Sequence, residues 1–250
     1  MKPWKDGFID YLNMVSPIIM IMKNQSVIEM QNVTKIYKMD SVSVVGVENI
    51  NLKIKKGEFV CVMGPSGSGK STMLHLMGCL DKPTYGKVFI DGADASKMSD
   101  DELADLRKNK IGFVFQFFNL YPTLTALENV ELPMIIDEKD KEFRKKRALE
   151  LLKMVEMEEF KDHLPSQLSG GQRQKVAIAR ALANDPPIIL ADEPTGNIDS
   201  KAGEEIMKIF KNLNKRGKTI VVVTHNENVA KFAERMIRLK DGKIIRDERK

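Results

Sequence analysis

The stretch Gly64–Ser71, GPSGSGKS, decides the fold of this 250-residue chain. It matches the phosphate-loop pattern G-x-x-x-x-G-K-[ST] at every fixed position. The apolar run Glu58–Met63, EFVCVM, precedes the loop and predicts a buried strand, and a helical pattern from Lys70 to about Cys79 follows it. A strand, a glycine-rich loop and a helix in this order are the context that the motif requires. The sequence therefore predicts a site where backbone N–H groups hold a polyphosphate.

Each residue type in this loop has a chemical reason. The glycines let the backbone curve around an anion, Lys70 can reach the β- and γ-phosphates of a nucleotide, and the Ser71 hydroxyl can ligate Mg²⁺. A glycine- and serine-rich turn without a ligand is the alternative, which the complete motif disfavours. The residues expected to line the phosphate site are Gly64, Pro65, Ser66, Gly67, Ser68, Gly69, Lys70, Ser71 and Thr72.

The composition is that of an ordinary globular protein, with 42% hydrophobic and 30% charged residues. Charges of both signs are interspersed, so the net charge of +5 predicts a lysine-rich solvated surface. Polyphosphate binding or a nearby anionic membrane also fits this charge. The two cysteines, Cys61 and Cys79, lack metal or CxxC spacing, and we interpret both as reduced core residues of a cytosolic protein.

The N-terminal segment, residues 1–26, precedes the pattern of a folded domain. Its apolar stretch Val15–Met22 is interrupted by Pro17 and is too short to cross a bilayer. Acidic residues ahead of this stretch and the lack of a small-residue cleavage site argue against a signal peptide. We interpret the segment as a dispensable extension, with Met22 as a candidate working start. An interfacial anchor is the alternative interpretation.

Strand and helix patterns alternate on both sides of a purely helical stretch, residues 117–168. Continuous apolar runs such as IIL at 188–190 and IVVV at 220–223 predict parallel strands that are covered on both faces. Capping boxes are predicted for Ser99 with Glu102 and for Thr125 with Glu128, and a hairpin turn is predicted at Asp241–Gly242. The predicted fold class is α/β, with an antiparallel portion near the N-terminal end.

Three predicted strands end in polar residues at what should be one edge of the sheet. Asp192 and Glu193 close the run Ile188–Glu193, where a buried carboxylate needs a cation or a partner. Asp192 can hold Mg²⁺, and Glu193 can orient and polarise an attacking water. Gln116 and His225 end their own strands, and parallel sheets gather sites at their carboxyl ends. Solvated strand ends and an ordinary structural histidine are the alternatives.

A second stretch, Leu168–Gln174 (LSGGQRQ), has the properties of another phosphate site. A serine and two glycines precede a helical run, and a helix N-terminus offers free N–H groups and a positive dipole end. The candidate residues are Ser169, Gly170, Gly171 and Gln172. The alternative is that Ser169 and Gly171 merely cap a helix that starts near Gln172. One chain has no obvious need for two such sites.

Tyr37 is one of only four tyrosines, and it lies ahead of the phosphate strand. Its ring could stack on a base. Packing within the protein is the alternative, and the residues alone favour packing.

Six signals follow one another along the chain: Tyr37, GPSGSGKST, Gln116, LSGGQRQ, IILADEPTGNID and His225. Together they closely resemble the nucleotide-binding subunit of ATP-binding cassette (ABC) transporters, over roughly residues 27–245. The LSGGQ sequence at this place is highly specific for that family. The resemblance implies a RecA-like P-loop core with a mostly parallel sheet, an antiparallel β subdomain and an inserted helical subdomain at about residues 117–168. The ABC ATPase domain would span residues 27–250.

The resemblance also implies how the chain holds its own nucleotide, ATP with Mg²⁺. Tyr37 would stack on adenine. Lys70 would contact the phosphates, and Ser71 and Asp192 would ligate Mg²⁺.

Four further residues would act on hydrolysis or on a second subunit. Gln116 would sense the metal and the water, Glu193 would be the general base, and His225 would contact the γ-phosphate. Asp199 in GNID would contact the opposite subunit, although Ser-Ala-Leu-Asp is the commonest form of that sequence.

The partners implied are a second copy of the chain, paired head to tail around two ATPs, and a separate transmembrane permease. The phrases MGCLDKPTYGKVFIDG and FQFFNLYPTLTALENVELP resemble the lipoprotein-release and macrolide-efflux branch. There the stretch Phe117–Val130 would dock on the permease, with core packing as the alternative for some of its rings. The chain would then lie at the cytoplasmic face of the membrane as a peripheral subunit.

Other classes of function are weighed against this one. A DNA-repair ATPase of the family would carry a long coiled coil between its motif halves, and a translation factor would usually carry two cassettes; neither pattern occurs here, so no nucleic-acid partner is expected. A signalling or mechanical module that acts on a membrane partner without transport stays open. The sequence does not name the substrate.

Overall fold

A computed structural model describes residues 25–39 and 42–250. The interpretation of residues 1–26 as an extension concerns a segment that lies outside the described residues except for its last two. Within the described part, no helix combines the length and the hydropathy needed to cross a membrane.

The described residues form ten strands and seven α-helices. The strands are β1 (Ser26–Met39), β2 (Val42–Lys55), β3 (Phe59–Met63), β4 (Tyr85–Ile90), β5 (Ala93–Asp94), β6 (Ile111–Val114), β7 (Ile188–Asp192), β8 (Thr219–Thr224), β9 (Arg235–Lys240) and β10 (Lys243–Arg249). The helices are α1 (Lys70–Met77), α2 (Asp100–Lys110), α3 (Ala126–Ile136), α4 (Lys141–Met154), α5 (Gly170–Ala181), α6 (Ser200–Lys215) and α7 (Glu227–Ala230).

The larger sheet has the strand order β10-β9-β3-β8-β7-β6. All its neighbouring strands are parallel except β10, which pairs antiparallel with β9 at one edge. Every residue of β3 and β8 is buried, because layers of side chains cover both faces. This explains the uninterrupted apolar runs of the sequence and confirms the α/β prediction.

Residues of β3 alternate between two hydrophobic cores. Phe59, Cys61 and Met63 join a core with helices α3 to α6, whereas Val60 and Val62 join a core with α1 and the second sheet. That second sheet is antiparallel, with the order β2-β1-β4-β5. Helix α1, which follows the phosphate loop, therefore lies between the two sheets.

The capping boxes predicted for Ser99 with Glu102 and for Thr125 with Glu128 are both present. The hairpin turn is also confirmed, because Asp241 and Gly242 both have positive φ and connect β9 to β10. One boundary was wrong, because strand β6 ends at Val114 rather than at Gln116. Helix α1 ends at Met77, close to the predicted end at about Cys79.

Candidate nucleotide site

The phosphate loop connects β3, in the middle of the parallel sheet, to α1. Gly67 and Gly69 have φ values of 76° and 96°, which glycine adopts without the strain that a side chain would add. The Lys70 ammonium group folds back over the loop and donates to the carbonyl oxygens of Gly64 at 2.9 Å and Pro65 at 3.0 Å. A phosphate that enters the loop would offer this ammonium group a charged partner instead.

Segments from distant parts of the chain support the back of this loop. The Gly242 amide donates to the Ser68 carbonyl oxygen at 3.1 Å, and the Glu48 amide donates to the Gly242 carbonyl oxygen at 2.9 Å. A Cβ at Gly64 would overlap the Leu239 carbonyl oxygen, so this position requires glycine. The Ser68 hydroxyl is buried and has no hydrogen-bond partner among the described residues.

Ser71 on α1 and Asp192 at the end of β7 approach each other beside the loop. The Ser71 Oγ lies 3.4 Å from Asp192 Oδ1. Burial raises the pKa of the Asp192 carboxyl, and the hydrogen bond from Ser71 opposes this shift. One hydroxyl and one carboxylate fit Mg²⁺, which is held by few protein oxygens together with substrate phosphates. No group of three or more His, Cys, Asp or Glu side chains suited to a metal occurs in the described residues.

Glu193 and His225 meet at the carboxyl ends of β7 and β8, as predicted. Glu193 Oε1 lies 2.8 Å from His225 Nδ1 and accepts from the His225 amide at 3.1 Å. Its Oε2 accepts from the Thr224 hydroxyl at 2.8 Å. Glu193 itself has a φ of 42°, a conformation that non-glycine residues rarely adopt. Three hydrogen bonds therefore hold the carboxylate in one orientation on a strained backbone, while the His225 side chain is largely exposed.

Gln116 lies two residues beyond the end of β6, and its side chain lies over the turn that follows Glu193. A Cβ added to Gly196 would be 3.0 Å from Gln116 Nε2. The Asn197 side-chain amide donates to the Gln116 carbonyl oxygen at 2.9 Å. The backbone of Gln116 is therefore tied to the GNID segment.

The LSGGQ stretch begins α5, which starts at Gly170 rather than near Gln172. Ser169 Oγ accepts from the Gln172 amide at 3.2 Å, and Gln172 Oε1 accepts from the Ser169 amide at 2.8 Å. The capping geometry weighed as the alternative is therefore present. Asp199 likewise caps α6 by accepting from the amides of its second and third residues.

Tyr37 lies in β1, half-buried beside the first turn of α1. Its ring edge and the Thr72 methyl group approach Gly46 so closely that a Cβ on Gly46 would be 2.9 Å from each. The Tyr37 hydroxyl donates to Asp81 Oδ2 at 3.1 Å.

Sequence reasoning missed three residues around this site. Thr224 precedes His225 at the end of a buried strand and donates to Glu193, and the edge rule that predicted His225 near Glu193 applies to Thr224 as well. No sequence pattern indicated a role for Asp81 or Arg180, because their hydrogen-bond partners are distant in sequence. Arg180 donates to the carbonyl oxygens of Phe118 at 2.8 Å and Asn119 at 2.5 Å.

Comparison with known proteins agrees with this geometry. A profile of the ABC transporter family matches residues 47–196. An uncharacterized ABC transporter ATP-binding protein of Methanocaldococcus jannaschii, MJ0796, is 62% identical over 227 residues, which are 89% of this chain and 97% of that protein. The chain belongs to the ABC transporter family.

The chain is also similar to a longer relative and to a solved structure. The macrolide export ATP-binding/permease protein MacB of Chlorobaculum tepidum is 49% identical over 223 residues, which cover 89% of this chain but 34% of that longer protein. A solved structure of the ATP-binding cassette MJ0796 is also similar; it is a dimer in a post-hydrolysis state, bound to ADP and Pi. It superposes with a TM-score of 0.84 at 60% identity, and the match covers 89% of this chain and 98% of that one. This chain is accordingly an ABC ATPase cassette that is similar to the cassette part of MacB.

Proposed function

We propose that the chain binds Mg·ATP at the carboxyl edge of its parallel sheet, hydrolyses it, and couples hydrolysis to a membrane permease by pairing with a second copy. The observation that carries the proposal is the convergence of two pairs at this edge: Ser71 with Asp192, and Glu193 with His225. The phosphate loop opens on the same edge, because β3 runs parallel to β8.

The phosphate loop and α1 would bind the triphosphate. The Lys70 ammonium would exchange its two carbonyl partners for phosphate oxygens, and Tyr37 would stack on the base. Ser71 and Asp192, with Gln116, would hold Mg²⁺, which when bound neutralises charge on the phosphates. Their hydroxyl, carboxylate and amide oxygens are the hard donors that this ion prefers.

Glu193 would act on water. Its carboxylate orients a water molecule, whose oxygen attacks the γ-phosphorus as the bond to the bridging oxygen breaks and ADP leaves. The water proton passes to the carboxylate, and inorganic phosphate is the second product. Thr224 and the His225 amide keep the carboxylate in place, while the exposed imidazole of His225 is free to turn toward the γ-phosphate.

The LSGGQ stretch would serve the ATP of a second subunit, which answers why one chain has two phosphate sites. In a head-to-tail pair, Ser169 and Gly171 would close over the partner's γ-phosphate, and Asp199 would face the opposite subunit. The dimeric structure of MJ0796, with 60% identity, supports this arrangement. Pairing on ATP and release after hydrolysis would make a two-state switch.

A permease segment would dock beside the segment that follows Gln116. Phe117 is 72% exposed and Tyr121 is 55% exposed. The same segment contributes to a groove of about 380 Å³, whose lining includes Phe115, Asn119 and Ile136. The ATP-binding/permease protein MacB, to which this chain is similar, supports a membrane permease as the partner, with the chain bound at the cytoplasmic face of the membrane. A signalling module that moves no substrate fits the same surface.

The test uses two variants together. Glu193→Gln should form an ATP-bound dimer that persists in size-exclusion chromatography, because hydrolysis no longer releases it. Adding Ser169→Arg should yield a monomer that still binds ATP, since the arginine blocks the seam between subunits but leaves the chain's own phosphate loop intact. A dimer that survives the arginine, or a monomer that no longer binds ATP, would contradict the trans assignment.

A further inference from the structure

The Tyr37 ring is held by more than its packing. The Lys35 ammonium group lies over the ring, 5.1 Å from its centroid, and pairs with Asp81 Oδ1 at 2.5 Å. Because β1 alternates its side chains, residues 35 and 37 share one face of the strand. The other Asp81 oxygen accepts from the Tyr37 hydroxyl. One carboxylate therefore fixes both the ring and the cation above it.

Asp81 is itself fixed. Besides Lys35 and Tyr37, it accepts from the Lys82 amide at 2.8 Å, and its side chain is 28% exposed. Burial alone would raise the pKa of Asp81, but its hydrogen bonds and the charge of Lys35 bring the pKa below its ordinary value. The residue stays charged at neutral pH and can hold both partners.

This group also ties the two halves of the nucleotide site together. Helix α1 begins at Lys70, directly after the phosphate loop, and Asp81 lies shortly after the C-terminal end of this helix. The Tyr37 side chain lies beside this helix. Its ring edge is near Thr72, and its hydroxyl donates a hydrogen bond to Asp81. The ring thus keeps a set position relative to the phosphate loop.

We propose that Asp81 and Lys35 are positioning residues for the base of the nucleotide: they clamp the Tyr37 ring and cover one of its faces, so that a base stacks only on the other. The proposal rests on the stacking role of Tyr37 given above. A pre-oriented ring loses little freedom when the base binds, so the clamp contributes to affinity for the nucleotide rather than to phosphate binding.

Binding of two ligands by calorimetry tests this clamp. ATP engages both the ring and the phosphate loop, whereas inorganic tripolyphosphate has no base and engages only the loop. Tyr37→Phe removes the hydroxyl, and Asp81→Asn removes the charge with little change in shape. Each should weaken ATP binding by about threefold to tenfold and raise the KM for ATP with a smaller change in kcat, while tripolyphosphate binding stays within twofold. The double variant should bind ATP no more weakly than the weaker-binding single variant, because both substitutions act on the same contact between Tyr37 and Asp81.

Two controls keep the outcomes distinct. Asp91 forms a comparable ion pair with Lys110 at 2.6 Å. Asp91→Asn removes this pair and should change the binding of neither ATP nor tripolyphosphate. If Tyr37→Ala leaves ATP binding unchanged, the stacking role fails and the clamp with it. If Tyr37→Ala weakens ATP binding but Asp81→Asn does not, only the clamp is wrong. A parallel loss of tripolyphosphate binding in Asp81→Asn would also overturn the proposal, because the effect would then come from α1.

Discussion

Glu193 and His225 are bound to each other directly: the carboxylate Oε1 lies 2.8 Å from the imidazole Nδ1 and also accepts from the His225 amide. The two residues are 32 positions apart in sequence, and the parallel pairing of β7 with β8 places their side chains side by side. The backbone of Glu193 is in the left-handed region, and the Thr224 hydroxyl holds its second oxygen. Such an oriented carboxylate is suited to act on a water molecule.

Glu193→Gln should bind ATP within about tenfold of the wild-type Kd but hydrolyse it about 100-fold more slowly or worse. The amide keeps the shape of the carboxylate and leaves Asp192 in place, but it cannot accept a proton. Steady-state phosphate release and equilibrium binding of a fluorescent ATP analogue measure the two effects. Glu102→Gln is the control, because glutamine preserves its capping box and the ATPase rate should not change. A complete loss of ATP binding in Glu193→Gln would show that Glu193 holds the nucleotide.

Lys70→Ala should lower the rate of ATP hydrolysis by about 100-fold or more, since one preorganised charged contact to the transition state is worth that much. Lys70 is buried at the start of α1, and within the described residues its ammonium group donates hydrogen bonds to two backbone carbonyl oxygens. The exposed Lys208, which pairs with Glu204, offers a control in Lys208→Ala. Phosphate release within threefold of wild type would refute the assignment of Lys70.

Arg180→Lys should lower the free energy of unfolding by about 1–2 kcal/mol and slow ATP hydrolysis. The lysine keeps the charge but lacks the planar fork that reaches the carbonyl oxygens of both Phe118 and Asn119. These two residues have positive φ and follow Gln116 closely, so freeing them should displace its side chain. Urea unfolding and phosphate release measure both effects. Arg147→Lys, at a partly exposed ion pair, should change neither by a comparable amount.

Cys61→Ala should cost stability at pH 8, by about 1 kcal/mol for the lost buried sulfur, and this cost should shrink at pH 10. Burial raises the pKa of the Cys61 thiol from 9.0 to about 12. In the unfolded chain the thiol ionises above pH 9, while the folded chain keeps it neutral, so its contribution to stability declines as pH rises toward 12. By pH 10 about 1 kcal/mol of the difference should be gone.

Urea unfolding of both proteins at the two pH values measures the change. A constant difference would mean that the thiol ionises in the folded state as readily as in the unfolded one. At pH 8 the native chain should also lack a fast-reacting thiol, because both of its cysteines are buried.

The sequence was most informative where chemistry and backbone geometry coincide. The phosphate motif needs a strand, a loop and a helix, and β3 and α1 supply them around Gly64–Ser71. The carboxyl-edge rule for parallel sheets brought Glu193 and His225 together without any knowledge of strand order. By contrast, Gln116 was expected at a strand end and lies two residues beyond it, because β6 pairs with β7 only as far as Val114.

Contacts between distant segments were not predictable. Nothing in the sequence links Arg180 to Phe118, or Asp81 to Tyr37, since neither pair lies on one helix or in one hairpin. Ser169 presents a different case, because one serine can both cap its helix and bind a phosphate. The cap that Ser169 forms with Gln172 is compatible with both functions. Phosphate binding by Ser169 can be tested only in the presence of a second subunit.

The support behind the phosphate loop has a consequence for the newly made protein. Strand β3 lies between β8 and β9, and the loop that follows it rests on the turn at Gly242. Both sheet neighbours of β3 and this turn come from the last 32 residues of the chain. A ribosome makes residue 64 long before residue 219. During synthesis this support therefore stays incomplete until the chain is almost finished, and a truncated copy released before residue 242 would lack the turn behind its phosphate loop.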